Sequence, residues 1–336
     1  MLECKSILIT GGCGFIGTNL IKFLIKKYPE YDFYNLDSLT YSGNQANLEE
    51  EEKKSNYNFI KGDITNSKFV MDLFSKYKFD KVIHLAAESH VDRSISNPLL
   101  FAHTNIIGTI NLLEASKKTW KGANENKLFY HVSTDEVFGA LGKSGFFKEE
   151  SKYNPSSPYS ASKASSDHFV NAYFKTYGLP TVISNCSNNY GPYQYPEKLI
   201  PLFIKNILNQ KKLPIYGNGL QIRDWLYVED HCKAIDTILH NPKLGETYLI
   251  GGLNEMTNIS LVKKLCSLID EKQKNESKSE LLIEYIDDRL GHDFRYAIDS
   301  TKLQNELDWK PQFDLNEGLS KTVQWYMDNK DWLYEK

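Results

Sequence analysis

The 336-residue sequence predicts an α/β protein: a doubly wound, mostly parallel sheet with a smaller C-terminal α/β lobe. Three observations predict this fold class. Short apolar runs alternate with longer amphipathic stretches over the first half of the chain. A glycine-rich turn joins the first run to the first amphipathic stretch. After about Cys186, Pro and Gly become denser and the alternation loses its regularity. Such β/α alternation is typical of a doubly wound sheet.

The individual elements follow from residue spacing. Runs of four to eight apolar residues indicate buried strands, and apolar residues at intervals of three and four indicate helices. The predicted strands are Ser6–Thr10, Phe33–Leu36, Asn58–Ile60, Lys81–Leu85, Leu128–Ser133 and Thr181–Asn185, and the predicted helices are Phe15–Tyr28, Phe101–Thr119 and Tyr159–Tyr177. The polar, charged stretch Asp270–Glu280 indicates an exposed helix end and loop. We expect a first domain over residues 1–186, to which a stretch at about 222–240 returns, and a lobe over residues 187–330.

Composition excludes several classes of protein. The apolar share of 41% and aromatic share of 13% suffice for a substantial core, and the net charge of −3 gives no reason to expect nucleic acid or an anionic membrane as the main partner. No apolar run is long enough for a membrane span, and no signal peptide is evident, so we expect a soluble cytosolic protein. The five cysteines are scattered without a C-x-x-C pair, which indicates neither a metal site nor a disulfide framework.

The glycine-rich turn predicts a dinucleotide site. Gly11, Gly14 and Gly17 lie between the first strand and the first helix, where glycines allow a tight turn and let a pyrophosphate approach the helix N-terminus. Asp37 ends the second strand, and an acid there accepts both ribose hydroxyls of NAD and repels the 2′-phosphate of NADP. The alternative is a purely structural corner.

Two further segments are candidates for cofactor contacts. Asp63 and Ile64 follow the third predicted strand and could flank the adenine. Leu85, Ala86 and Ala87 follow the fourth strand and supply small residues where the backbone must pass close to a dinucleotide.

The pattern Y-x-x-x-K occurs at Tyr57–Lys61, Tyr77–Lys81 and Tyr159–Lys163. In the third pair alone, Ser157 as N-cap and Pro158 as first helical residue place both side chains on one face of a helix. We expect the Lys163 ammonium to lower the pKa of Tyr159, so that the phenolate takes a proton from a sugar hydroxyl while NAD takes the hydride. The alternative is an ordinary surface pair on an amphipathic helix.

With the glycine turn, Asp37 and Tyr159-Ser160-Ala161-Ser162-Lys163, the chain resembles the extended short-chain dehydrogenase/reductase family, whose nucleotide-binding part is a Rossmann sheet. Within that larger family, six longer motifs resemble those of the dTDP-glucose 4,6-dehydratase family. The motifs are LTYSGN (Leu39–Asn44), AAESHVDRSI (Ala86–Ile95), STDEVFG (Ser133–Gly139), SNNYGPYQYPEKLIPL (Ser187–Leu202), IRDWLYVEDH (Ile222–His231) and DRLGHDFRYAID (Asp288–Asp299). The resemblance runs from about Ser6 to Trp325.

The resemblance implies a redox-neutral dehydration of a nucleotide sugar, dTDP-glucose or alternatively UDP-glucose, on tightly bound NAD. Tyr159, helped by Lys163 and a hydrogen bond from Thr134, would oxidise C4. Glu136 would remove the C5 proton, and Asp135 would protonate the departing C6 hydroxyl. Such chemistry needs one carboxyl protonated beside one ionised, and crowding two carboxyls pushes their pKa values apart.

The resemblance also assigns binding residues. Arg223 and Arg289 would hold the diphosphate and nucleotide, and His292 would orient the loop of Asp288 and Arg289. The further cofactor contacts implied are Phe15, Ile16, Ser38, Leu39, Thr40, Ser89, Thr104 and Asn189. The further substrate contacts implied are Ser89, Thr134, Asn188, Glu197, Lys198, Leu199, Pro214, Ile215, Tyr216, Asn258 and Asp288. Phe294 and Phe138 depart from the family pattern, which has a basic residue and a tyrosine there.

Three alternatives remain open. A nucleotide-sugar 4-epimerase shares the fold, NAD and the Tyr–Lys pair but does not need adjacent acid and base at Asp135 and Glu136. A UDP-glucose dehydratase differs only in the base recognised. A catalytically inactive NAD-binding sensor or scaffold would be expected to lack one of the reactive side chains. The resemblance further implies a homodimer formed through the helices Phe101–Thr119 and Tyr159–Tyr177, and a product used for deoxysugars such as rhamnose.

Overall fold

The computed structural model describes residues 6–122, 126–274, 278–288 and 291–335. The strands are β1 (Ser6–Thr10), β2 (Asp32–Asp37), β3 (Tyr57–Lys61), β4 (Lys81–His84), β5 (Leu128–Thr134), β6 (Thr181–Cys186), β7 (Asn188–Tyr190), β8 (Leu213–Tyr216), β9 (Ile222–Tyr227), β10 (Thr247–Ile250), β11 (Glu255–Thr257) and β12 (Ile283–Ile286). The helices are α1 (Phe15–Lys27), α2 (Glu49–Glu52), α3 (Ser67–Tyr77), α4 (Val91–Ser96), α5 (Pro98–Phe101), α6 (Gly108–Thr119), α7 (Pro158–Tyr177), α8 (Leu199–Leu208), α9 (Val228–His240), α10 (Asn258–Gln273), α11 (Thr301–Leu307), α12 (Leu315–Asp328) and α13 (Lys330–Glu335).

Within the described residues, the largest sheet has seven strands in the order β10-β6-β5-β4-β1-β2-β3, and every neighbouring pair is parallel. The strand order reverses between β1 and β4, as in a doubly wound sheet. This confirms the predicted Rossmann-like α/β class. A crevice opens outside the carboxyl ends of the strands at such a reversal, and ligands bind there.

Both faces of this sheet are covered because its strands alternate their side chains. Ile7 and Ile9 of β1 join one apolar cluster with residues of α1 and α9, whereas Leu8 joins another with residues of α3, α6 and α7. Successive side chains of a strand point to opposite faces, so a continuous apolar run indicates a strand buried on both sides.

The predicted helix Phe101–Thr119 differs from the structure. The helical segment begins earlier, at Pro98, and Ala102–Ile107 winds as a π-helix between α5 and α6. The buried amide of Asn105 exchanges hydrogen bonds with the main chain of Glu88 and also donates to Ser162 Oγ at 2.8 Å. Short π-segments are frequent at functional sites, and this one ties the loop after β4 to α7.

The second half of the chain builds a separate apolar cluster. It contains residues of α8, α10 and α12, next to a three-stranded sheet β11-β9-β7 and a parallel pair β12-β8. Of the stretch expected to return to the first domain, α9 packs on α1, whereas β9 pairs with β7 and β11. Strand β10, outside that stretch, is the edge strand of the main sheet. The division at residues 186 and 187 stays a prediction.

The stretch expected to be an exposed helix end and loop is only partly described. Helix α10 ends at Gln273, residues 275–277 lie outside the described part, and a turn of 3-10 helix covers Ser279–Leu282. None of the helices described is long and apolar enough to span a bilayer.

Candidate active site

The three glycines of the turn differ in whether the surrounding structure leaves room for a Cβ atom. Gly11 has φ +72°, and a Cβ there would lie 2.7 Å from the backbone of Ala86. A Cβ on Gly17 would lie 2.3 Å from the Gly11 carbonyl oxygen, so these two positions need glycine for the fold itself. At Gly14, the N-cap of α1, a Cβ would approach only the Gly11 oxygen at 3.3 Å and would otherwise enter open space. That open space fits a phosphate against the unpaired N–H groups of the helix N-terminus.

Asp37 lies at the end of β2 with both oxygens held by main-chain amides. Cys13 N donates to Oδ2 at 2.9 Å and Leu39 N donates to Oδ1 at 2.8 Å. Burial raises the pKa of the carboxyl, and these two hydrogen bonds oppose the rise. Each oxygen retains lone-pair capacity for a ribose hydroxyl, so the geometry fits NAD.

A cavity of about 370 Å³ lies along the crevice at the strand reversal, within the size range of small-molecule sites. Most of the predicted cofactor residues line it. They are Gly11, Gly14, Phe15, Ile16, Gly17, Asp37, Ser38, Thr40, Asp63, Ile64, Leu85, Ala86, Ala87, Ser89, Thr104, Tyr159, Lys163 and Asn189. Leu39 does not line the cavity; its contribution is the amide that holds Asp37.

The catalytic candidates line the same cavity. Ser157 caps α7 through a reciprocal pair of hydrogen bonds with Ser160, and Pro158 is the first helical residue, which confirms the predicted start of the helix. Thr134 ends β5, and Asp135 and Glu136 open the short 3-10 helix that follows. Tyr159, Lys163 and these three residues therefore converge from the end of one strand and the start of one helix.

The expected lowering of the Tyr159 pKa by Lys163 is wrong for this structure. Burial raises the pKa of Tyr159 well above its usual range, the Glu136 carboxylate raises it further, and a hydrogen bond with Thr134 opposes both. The Lys163 ammonium instead donates to the main-chain oxygen of Val132 at 2.9 Å and lies 3.4 Å from His131 Nε2. Desolvation of the phenolate therefore outweighs its charged neighbour.

The two adjacent carboxyls differ in environment. Asp135 is only 1% exposed, and its Oδ2 has no hydrogen-bond partner. Burial raises the pKa of Asp135 well above its usual range, the charges of Glu136 and Asp224 add to the rise, and Arg223 opposes it. Glu136 is only partly buried. The raised pKa favours the protonated form of Asp135 beside a more solvated carboxyl, as the dehydration chemistry would require.

Part of the predicted substrate site lies at the cavity. Ser89, Thr134, Asn188, Glu197 and Lys198 line it. The Tyr41 hydroxyl donates to Glu197 Oε1 at 2.8 Å, and the Lys198 ammonium donates to the main-chain oxygen of Ser89 at 3.0 Å. These two contacts join the loops of the main sheet to the segment before α8.

The remaining predicted substrate residues do not line this cavity. These residues are Leu199, Pro214, Ile215, Tyr216, Arg223, Asn258, Asp288 and His292, and Arg289 lies outside the described residues. Several of them meet around β8 and β9. His292 Nδ1 lies 2.6 Å from Asp288 Oδ1, and Gln221 donates to Asp288 Oδ2 at 3.0 Å. The role of His292 in orienting this loop stays a prediction. The Arg223 guanidinium stacks 4.3 Å from the Tyr296 ring.

Sequence reasoning missed several residues of the site. Tyr41, Glu88, Gln194, Tyr195 and Cys186 also line the cavity. Burial raises the pKa of the Cys186 thiol to about 12, which keeps it neutral. The signal for Glu88 was its place in the loop that follows β4, and the signal for Cys186 was its place at the end of β6, because ligands bind at the carboxyl ends of parallel strands.

The cysteines of the described residues carry free thiols. Cys13, Cys186, Cys232 and Cys266 are free and buried, and Cys4 lies outside the described residues. In the part of the chain that the structure describes, no group of three His, Cys, Asp or Glu side chains could hold a metal ion.

Comparison with known proteins finds a matching family model and several similar proteins for this chain. The family model of GDP-mannose 4,6-dehydratase matches residues 8–322. The chain is 52% identical over 330 residues to a probable dTDP-glucose 4,6-dehydratase of Sinorhizobium fredii, covering 97% of this chain and 94% of the relative. The solved dTDP-glucose 4,6-dehydratase of Bacillus anthracis in complex with NAD is 47% identical with a TM-score of 0.88, covering 98% of each chain. That of Streptomyces venezuelae, also with NAD bound, is 41% identical with a TM-score of 0.89, covering 97% of this chain and 98% of the other.

Proposed function

We propose that this chain, which belongs to the GDP-mannose 4,6-dehydratase family, is an NAD-dependent dTDP-glucose 4,6-dehydratase. It is a carbon–oxygen lyase that converts dTDP-glucose to dTDP-4-keto-6-deoxyglucose and water. The observation that carries the proposal is the buried carboxyl of Asp135, whose Oδ2 has no hydrogen-bond partner, beside the partly buried Glu136 in the cavity that Tyr159 and the glycine turn also line. The relatives named dTDP-glucose 4,6-dehydratase and their structures with NAD support the choice of sugar nucleotide and cofactor.

Each reactive side chain has one proton to move. Tyr159 takes the proton of the C4 hydroxyl, assisted by the Thr134 hydroxyl, and the C4 ketone then acidifies the hydrogen at C5. Glu136 removes that hydrogen, and Asp135 gives its proton to the C6 hydroxyl, which leaves as water. Glu136 later returns a proton to C5. The proton that Tyr159 gains balances the one that Asp135 loses, so the sugar loses only water.

Bound NAD would supply the hydride acceptor for C4 and the hydride donor for C6, and its positive charge would favour the Tyr159 phenolate. The open backbone at Gly14 and the carboxylate of Asp37 would hold the dinucleotide. Because the hydride returns within each cycle, we expect the NAD to stay bound between turnovers. The predicted substrate residues around β8 and β9 would bind the nucleotide part of the sugar nucleotide.

The test is a reaction without added cofactor. Purified protein is incubated separately with dTDP-glucose and UDP-glucose, and the products are followed by mass spectrometry. We expect loss of one water from dTDP-glucose at a higher rate than from UDP-glucose. A faster reaction of UDP-glucose would make the alternative UDP-glucose dehydratase correct. An unchanged mass with conversion to the galactose epimer would instead indicate a 4-epimerase.

We further propose a homodimer, a cytoplasmic location and a role of the product in making deoxysugars such as rhamnose. The dimer is supported by apolar side chains that stay exposed on two neighbouring helical segments: Leu99 and Ile107 on one, and Phe169 and Tyr177 on α7. Leu99 is 74% exposed, and such apolar patches mark interfaces. Light scattering at micromolar concentration should give twice the chain mass, and Leu99→Glu should lower it. A monomer mass for the unmodified protein would contradict the dimer.

A further inference from the structure

Helix α7 carries a further charged residue in line with the Tyr–Lys pair. Tyr159, Lys163 and Asp167 follow at intervals of four residues, so their side chains share one face of the helix. That face packs against β5 and β6. Asp167 is fully buried and does not line the cavity, so it lies behind Lys163 as seen from the reaction site.

The Asp167 carboxylate is held by donors from three other parts of the chain. Its Oδ2 accepts hydrogen bonds from Ser133 Oγ at 3.0 Å, Tyr153 Oη at 2.9 Å and Asn185 Nδ2 at 3.1 Å. Its Oδ1 lies 3.2 Å from His131 Nε2. Burial opposes ionisation, but the hydrogen bonds of His131 and Ser133 and the charge of the Lys163 ammonium hold the pKa of Asp167 below its usual range. Asp167 is therefore an anion in the interior of the protein.

Lys163 is a buried cation whose hydrogen bonds go to neutral groups. Its ammonium donates to Val132 O and lies 3.4 Å from His131 Nε2, the same nitrogen that faces Asp167. Burial lowers the pKa of His131 to about 4, so the imidazole is neutral and stands between the two charges.

The other titratable groups around Lys163 are neutral as well. The thiol of Cys186 on β6 has its pKa raised to about 12 by burial. His84 on β4 has its pKa lowered by burial, and Tyr159 on α7 has its pKa raised. Burial lowers the pKa of Lys163, and the Asp167 charge is the largest influence that raises it. Asp167 thus supplies the counter-charge for the ammonium.

We propose that Asp167 is a positioning residue for the reaction: its buried carboxylate, acting across His131, keeps Lys163 charged and fixed at the Val132 carbonyl beside the cofactor cavity. The functional part of this inference rests on the proposed function, because it assumes that the Lys163 ammonium serves hydride transfer. The electrostatic part concerns only this chain's own buried groups.

The functional part is tested by the pH profile of turnover of dTDP-glucose by the NAD-loaded enzyme. Asp167→Asn removes the charge while keeping the shape, so Lys163 should lose its proton at lower pH. We expect the alkaline limb of kcat to move down by about one pH unit or more, with KM unchanged within about twofold. Tyr153→Phe is the matched control, because it removes one hydrogen bond to Asp167 and leaves its charge. Its alkaline limb should stay in place. Coinciding limbs for Asp167→Asn and the unmodified enzyme would overturn the proposal.

The electrostatic part is tested without substrate by a double-mutant cycle in urea unfolding. Asp167→Asn is made in the unmodified chain and in a Lys163→Met chain. If Asp167 acts as counter-charge, the loss in urea midpoint should be at least halved when Lys163 is absent. Recovery of folded protein only in the Lys163→Met background would support the proposal equally. An equal loss in both backgrounds, including failure of both to fold, would show a purely structural role and overturn it. Absence of dehydratase activity in the unmodified protein would sink the proposed function but leave this cycle readable.

Discussion

The Lys163 ammonium donates a 2.9 Å hydrogen bond to the main-chain oxygen of Val132, and this bond joins the first turns of α7 to the end of β5. The bond matters because Tyr159 precedes Lys163 by one turn, and the Thr134–Glu136 segment begins two residues after Val132. This one hydrogen bond thus fixes the position of the Tyr159 phenol relative to the carboxyl groups of Asp135 and Glu136.

Replacing Lys163 tests the value of this arrangement. Lys163→Met removes the ammonium but keeps an unbranched apolar stem. We expect turnover of dTDP-glucose to fall by about 10²-fold or more, a typical loss for a group that assists proton transfer. Initial rates measured by mass spectrometry would check this. Lys175→Met, an exposed change in the last turn of the same helix, should retain full activity.

Glu136 is the proposed base for the C5 hydrogen. Glu136→Gln keeps the size of the side chain but cannot take the proton, so exchange of the C5 hydrogen with deuterated solvent should stop. The NAD content of the purified protein, read from its absorbance, should be unchanged. Glu150→Gln, at an exposed position, is the control. Full turnover by Glu136→Gln would rule out this residue as the base.

Asp135 gives a prediction on stability against pH. Its pKa in the folded state is raised well above the unfolded value, so the stability it contributes is present below the unfolded pKa and is lost as pH rises towards the folded pKa. The loss approaches about 1.4 kcal/mol per pH unit. Asp135→Asn does not titrate. Urea unfolding at pH 5 and pH 7 should therefore show Asp135→Asn gaining stability relative to the unmodified protein at the higher pH. A difference independent of pH would mean that the Asp135 pKa is not raised.

Substitutions at two glycines of the turn should distinguish an effect on cofactor binding from an effect on folding. Gly14→Ala places its Cβ in the space open to the cavity, so bound NAD should fall at least about tenfold while the melting temperature of the NAD-free protein changes little. Gly17→Ala forces its Cβ to 2.3 Å from the Gly11 oxygen and should lower that melting temperature by several degrees, as a core clash of ~1–3 kcal/mol does. Equal melting temperatures for the two NAD-free variants would contradict this assignment.

Local patterns predicted the parts of the site that depend on neighbours in sequence. The capping box at Ser157, the placement of Tyr159 and Lys163 on one helical face, and the glycine turn all follow from spacing within one or two turns. The same regularity extends to Asp167, four residues after Lys163, but a helical carboxylate is usually solvated and the spacing alone gave no reason to single it out.

Other features depend on distant segments and were not predictable. Strand β10 is a four-residue run in an irregular part of the chain, and only its pairing with β6 makes it part of the main sheet. The π-helix before α6 depends on the fit of Asn105 between Glu88 and Ser162. Phe138, a departure from the family pattern, is buried against Phe147 and Tyr153 and does not line the cavity.

The sequence by itself determined which chemistry-bearing residues this protein has and which sheet carries them, because periodicity and turn chemistry act locally. Only the tertiary structure decided their ionisation. The pKa of Tyr159 rises although Lys163 is one turn away, and the pKa of Asp135 rises because burial and the charges of Glu136 and Asp224 outweigh Arg223. Desolvation and charge depend on every segment that packs around a group, and those segments come from distant parts of the chain.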